Sequence, residues 1–154
     1  MGKLSAEELG RFLSLPWNGR LATVTPSCTP YVTPVWYEYD PSKRAFYVMA
    51  RARSAYIEHI KKNPQVAFHI ADDGPEHTRV LVEGTAKILE GPTPPSQSER
   101  LRALADRMAR RYMGEEGPAY VQKTLDQPRY LLEVTPKKLT SWTGAGVWHP
   151  RYYQ

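Results

Sequence analysis

The chain has 154 residues, 41% apolar and 24% charged, with 21 basic against 16 acidic side chains and a formal net charge of +5. This is enough chain for one domain with a real core, short for two, and too apolar for a disordered protein. The modest positive charge suits an anionic ligand but falls short of a nucleic-acid binder's basic stripe, and no apolar run nears the roughly 18 residues of a membrane span.

Residues 4–14 predict a helix. Ser5 and Glu8 form a capping box, Leu4 and Leu9 sit at staple positions, Leu9, Phe12 and Leu13 share a face, and Pro16 stops it. The opening MGKLSAEELG lacks the apolar centre of a signal peptide, so a cytoplasmic protein is expected. Three strands are predicted next, at 19–25, 31–39 and 44–50, with turns marked by Pro26, Pro30, Asp40 and Pro41. Pro34 cannot donate to a ladder, so a bulge or an open edge is expected there.

Residues 54–62 read as a short helix with Ser54 as N-cap, inward-facing Ile57 and Ile60, and a stop at Asn63-Pro64. Strands follow at 65–71 and 79–90. In the second, Val80, Val82, Ala86 and Ile88 alternate with polar neighbours, and Gly84 leaves a gap in the apolar face. GPTPPSQSE then reads as a proline-rich linker running into a capping box from Ser96 to Glu99. The helix beyond it carries Leu101, Leu104, Ala105 and Met108 on one face, with Arg100, Arg102, Arg107, Arg110 and Arg111 mostly elsewhere. A further helix begins at Pro118, and a last strand spans 129–135, ahead of an aromatic tail. Six strands joined largely by short turns predict a mainly β fold, an antiparallel barrel with peripheral helices. The layout is one domain over 1–154, with a helical insertion at about 96–126 and a tail at 141–154.

No GxSxG, HExxH, P-loop or GxGxxG is present. His59, His69, His77 and His149 have no metal-ligand spacing. His69 alternates with Phe68 and Ile70, as a solvent-facing or satisfied core residue would. Cys28 is the sole cysteine, which excludes an internal disulfide, and it reads as a passive thiol in a proline-rich turn. The stretch ARARSAYIEHIKKNPQVAF, residues 50–68, holds Arg51 and Arg53 where a strand gives way to a helix. Two readings stand: a pair of solvated arginines, or an anion site in which guanidinium groups, the Ser54 hydroxyl and a helix N-terminus meet a phosphate.

RLATVTPSCTPYVTPVWYEYD, AFYVMARARSAYIEHIKKNPQVAF and VLVEGTAKIL, in that order and spacing, resemble the pyridoxamine 5'-phosphate oxidase-like, FMN-binding split-barrel superfamily. The resemblance covers roughly residues 5–140. It implies a six-stranded split barrel, a homodimer with flavin sites across the interface, and FMN or the deazaflavin F420 as cofactor. Carried over, it places the cofactor phosphate at Arg51, Arg53 and Ser54, beside Ala50, and the ring along Thr33, Pro34, Val35 and Trp36. Tyr56 stands where relatives often have lysine, which favours F420. The arginine motif of true pyridoxamine phosphate oxidases is not recognisable near the end of this chain. The tail aromatics Trp142, Trp148, Tyr152 and Tyr153 are expected to cover a cofactor site, Trp148 among the contacts. The function implied is a flavin- or deazaflavin-dependent oxidoreductase acting on a small organic molecule. The alternative is a non-catalytic binder of flavin, haem or another tetrapyrrole.

Overall fold

The computed structural model describes residues 3–74 and 76–144. Helix α1 (Ala6–Ser14) has the expected capping box, with Glu8 N donating to Ser5 Oγ and Ser5 N donating to Glu8 Oε2. Strands β1 (Gly19–Val24), β2 (Pro30–Val35), β3 (Glu38–Asp40) and β4 (Ala45–Arg51) follow, then α2 (Ala55–Lys62), β5 (Gln65–Ala71) and β6 (Arg79–Thr93). Helices α3 (Glu99–Met113) and α4 (Gly117–Thr124), with two short 3-10 turns, lead to β7 (Arg129–Trp142). All seven strands join one sheet in the order β2-β1-β5-β6-β7-β4-β3, and every pairing is antiparallel.

The run predicted as one strand over 31–39 is two strands, and they lie at opposite edges of the sheet. Only Trp36 and Tyr37 separate β2 from β3. Laid flat, six inter-strand steps would hold the edges about 29 Å apart. Three Cα–Cα steps from Val35 to Glu38 reach at most about 11 Å. The sheet therefore has to roll into a barrel, with Trp36 and Tyr37 as its seam.

Residues of β1 and β5 alternate between the barrel interior and the outside, as half-buried strands should. Leu21, Phe46, Phe68, Ile70, Val80 and Val82 fill the interior. Tyr37, 0% exposed, joins Phe46 and Phe68 in a cluster of edge-on rings with centroids 5.4–5.8 Å apart. Phe12 and Leu13 of α1, with Tyr56, Ile57 and Ile60 of α2, complete this core. Beyond it, Leu101, Leu104 and Met108 of α3 pack against Ala45, Tyr47 and Leu131 in a second cluster.

Several local expectations are adjusted. Pro34 lies on edge strand β2 in regular register with β1, so the open edge is present and the bulge is not. The register shifts fall instead in the β6–β7 ladder, at Glu83/Gly84, Ile88/Glu90 and Glu90/Thr93; at the first, a Cβ on residue 84 would collide with the Thr135 carbonyl oxygen. Strand β6 continues through Gly91 and Pro92 to pair Thr93 with Arg129, so part of the proline-rich linker belongs to the sheet. Ser98, not Ser96, caps α3, accepting from Leu101 N at 3.2 Å; the Ser96 hydroxyl bonds Asp126 instead.

The Tyr37 hydroxyl is buried and has no hydrogen-bond partner. Burial pushes its ionisation well above the ordinary tyrosine range, so it stays a neutral, desolvated group. Removing an unsatisfied hydroxyl relieves a penalty of about 1–3 kcal/mol. Tyr37→Phe is expected to leave the urea midpoint unchanged or raise it, whereas Phe68→Ala should lower stability by about 3–5 kcal/mol. A Tyr37→Phe loss as large as that of Phe68→Ala would show that the hydroxyl is satisfied in solution.

Candidate functional site

A cleft of about 410 Å³ opens beside the seam. Thr33, Pro34 and Val35 of β2 and Trp36 of the seam form one side, with Met49 and Arg51 of β4, Ser54 and Tyr56 around the start of α2, and Arg129 at the start of β7. Pro95, Ala105, Met108, Tyr120, Val121 and Thr124 close it from the helical segment between β6 and β7.

Its basic end does not hold the arginine pair that the sequence suggests. Arg51 and Arg129 are direct cross-strand partners in the β4–β7 ladder. Like charges directly opposite in a sheet repel, and this rung carries two. Arg129 is 6% exposed. Burial pulls its pKa below the ordinary arginine value and Arg51 pulls the same way, while Tyr120 and Tyr56 oppose. No acidic side chain lines the cleft among the described residues. Two guanidinium groups, one buried, thus share a cavity with no carboxylate to answer them.

The remaining groups are donors and ring surfaces. Ser54 occupies the N-cap position of α2 without making the usual capping bond, and its hydroxyl interacts with the Tyr56 phenol. Burial raises the Tyr56 pKa, so the phenol remains a neutral donor. Trp36 lies parallel to Tyr112 at 4.9 Å and meets Tyr120 edge-on at 5.9 Å. Tyr112 is itself fixed: its hydroxyl donates to the Trp17 carbonyl at 3.0 Å and accepts from Arg111 Nη2 at 2.9 Å.

Of the residues selected from sequence, Thr33, Pro34, Val35, Trp36, Arg51, Ser54 and Tyr56 are brought together here. Ala50 is not: it is fully buried in the barrel core. Arg53 is exposed in the turn before α2 and does not line the cleft. Trp148, like His149, Tyr152 and Tyr153, lies outside the described residues. Arg129 and Tyr120 are the main residues that sequence reasoning misses. Each belongs to a correctly expected element, but neither stands near the arginine motif along the chain.

The histidines with described surroundings and Cys28 play no part in the cleft. His59 is buried, with Nδ1 3.0 Å from Thr23 Oγ1 and its ring edge-on to Tyr31. His69 is half-buried; burial lowers its pKa, helped by Arg20 and Arg79. Cys28 is exposed in the β1–β2 turn. Among the described residues no group of three His, Cys, Asp or Glu is placed to hold a metal, and no helix is long and apolar enough to cross a membrane.

A rolled antiparallel sheet, two edge strands meeting at a short seam and a basic cleft beside them define a split β-barrel. The chain matches the pyridoxamine 5'-phosphate oxidase family over residues 5–143, and it belongs to that family. Among solved structures it is similar to a conserved hypothetical protein of Mycobacterium tuberculosis, with 25% identity and a TM-score of 0.74, covering 95% of this chain and 90% of that one. It is similar to an F420 reductase at 28% identity and a TM-score of 0.61, covering 84% and 93%. HutZ, a haem storage protein of Vibrio cholerae, shares the fold at 21% identity and a TM-score of 0.66, covering 93% and 97%. No curated protein matches the chain.

The like-charged rung gives a test that needs no ligand. A buried, unpaired charge destabilises the fold that holds it. Arg129→Met is therefore expected to raise the thermal midpoint of the ligand-free protein in calorimetry, because the flexible thioether fills the space without the charge. A lower midpoint would mean that Arg129 is already compensated.

Proposed function

We propose that the protein is an oxidoreductase that binds a flavin-type cofactor, F420 in preference to FMN, and passes a hydride to or from a small organic substrate. The observation that carries this is the Arg51–Arg129 rung facing a cleft without carboxylates. A phosphate group answers both charges, and guanidinium groups suit its geometry. The Ser54 hydroxyl and the N-terminus of α2 add neutral donors beside it. The Tyr56 phenol adds a further one. Thr33 to Trp36 offer an extended edge and an indole against which a flat ring system can lie. The cleft volume falls within the range of small-molecule sites. When bound, such a cofactor supplies the redox chemistry, and the chain supplies position, shielding and charge. No side chain is assigned as acid or base.

The preference for F420 rests on the likeness to a protein described as an F420 reductase and on Tyr56 at the anion end. The longer F420 tail would need further cations beyond the cleft, and several nearby ones already have partners. Lys61 is bonded to Glu58 at 2.7 Å and lies over Tyr130, Arg107 is paired with Glu38, and Arg111 lies against Tyr37 and Tyr112. Exposed Arg53, just outside the mouth, is the candidate for the tail's carboxylates. A haem reading would require an axial ligand, and the described lining offers methionine and tyrosine but neither histidine nor cysteine. A homodimer is part of the proposal. Val32, 62% exposed on the open edge strand, and Leu81, exposed on β6, leave apolar surface for a second copy to cover.

Titration of the purified protein with FMN and with F420, followed by absorbance and by quenching of tryptophan fluorescence, tests the cofactor. Arg51→Ala is expected to weaken binding of both by about 1.5–3 kcal/mol, the range of a charged hydrogen bond. Arg53→Ala should weaken F420 more than FMN, and F420 affinity should fall more steeply with added salt, since exposed charges are screened most. Tight FMN binding with no F420 binding at low salt would leave an FMN protein. Light scattering should return twice 17.6 kDa, and a monomer at micromolar concentration would refute the dimer.

A further inference from the structure

Trp36, the seam residue that lines the cleft, has Tyr112 of α3 against it. The two rings are parallel to within 2°, with centroids 4.9 Å apart. Tyr112 itself does not line the cleft, so its ring takes the side of the indole turned away from the cavity. A tyrosine hydroxyl has one proton to give and two lone pairs to receive with. Here all three are used. The Tyr112 hydroxyl donates to the Trp17 carbonyl at 3.0 Å, and it accepts from Tyr37 N at 3.3 Å and from Arg111 Nη2 at 2.9 Å. The Arg111 guanidinium also lies 4.7 Å from the centre of the Tyr112 ring. Below, both Trp36 and Tyr112 rest on the cluster that Leu101, Leu104 and Met108 form with Leu131. Tyr112 is thus tied to the stretch before β1, to the seam and to its own helix.

We infer that Tyr112 is a positioning residue: it backs the Trp36 indole and holds it as a fixed wall for the flat ring of the cofactor. This rests on the ring-bearing cofactor proposed above. A side chain that is already immobile loses little further freedom when a ligand stacks on it, so fixing Trp36 in advance favours the complex. The arginine end of the cleft is built by other elements, β4 and the start of β7. Tyr112 should therefore govern the ring's share of the affinity, leave the phosphate's share alone, and act through Trp36.

The test measures binding of riboflavin, FMN and the deazaflavin chromophore of F420 by quenching of the ligand's own fluorescence, with a thermal melt of each variant beside it. Tyr112→Leu removes the stacked ring. It is expected to weaken riboflavin and FMN by the same factor, about two- to tenfold, the worth of an aromatic pair, and the chromophore likewise. In a Trp36→Ala background the same substitution should cause no further loss, because the residue it acts through is gone. Tyr112→Phe keeps the ring and strips the hydroxyl. Its melting temperature should fall, since the Trp17 carbonyl and the Tyr37 amide lose their partner, yet it should bind riboflavin almost as well as wild type. A loss in Tyr112→Phe equal to that in Tyr112→Leu would show that affinity follows stability, and would overturn the role. Unchanged riboflavin affinity in Tyr112→Leu, or a full further loss in the Trp36→Ala background, would overturn it too. Wild-type protein that binds neither flavin nor deazaflavin would overturn the proposed function, and this role with it.

Discussion

Two residues connect the opposite edges of a seven-stranded sheet, and most of the molecule follows from that short tether. The sheet cannot lie flat, so it curls and gains an interior, which Tyr37, Phe46 and Phe68 fill with edge-on rings. The two tether residues take opposite sides. Tyr37 enters the core, whereas Trp36 lines the cleft. A concave site beside the seam is thus a geometric by-product of closure, and α3 and α4 deepen it.

Against that rigid background, the Arg51–Arg129 rung stands out as a local conflict. Two positive charges are set opposite each other here, with one of them buried. Sequences consistent at every level tend to break a local rule where function demands it. A nearby carboxylate would relieve the repulsion; under the proposed function it would also occupy the space of the ligand's charge, so stability and binding would pull in different directions at this one rung.

The sequence discloses what depends on short-range order. The capping box at Ser5 and Glu8, the strands at 19–25 and 65–71, and the residues Thr33 to Trp36 and Arg51 to Tyr56 are all read from neighbours within a few positions. The division of 31–39 is not legible, because the run keeps strand-forming residues throughout; the break at Trp36 comes from closure of the whole sheet. Nor is the partner of Arg51. Arg53 looks like its companion at two residues' distance, yet the true companion is fixed by the β4–β7 register. Ser96 and Ser98 illustrate the same limit on a smaller scale. Both fit a cap, and the choice is made by Asp126, thirty residues away, which takes the Ser96 hydroxyl.

The register that joins Arg51 to Arg129 links positions 78 apart in the chain, 129 minus 51. The rung is therefore incomplete until the final strand docks. Without β7 no ladder joins β6 to β4, so the sheet parts into β2-β1-β5-β6 and β4-β3 and the rung does not form. A ligand that engaged both guanidinium groups would in that sense certify completed folding: it would recognise the finished molecule and draw the folding equilibrium toward it, leaving incomplete forms without that support.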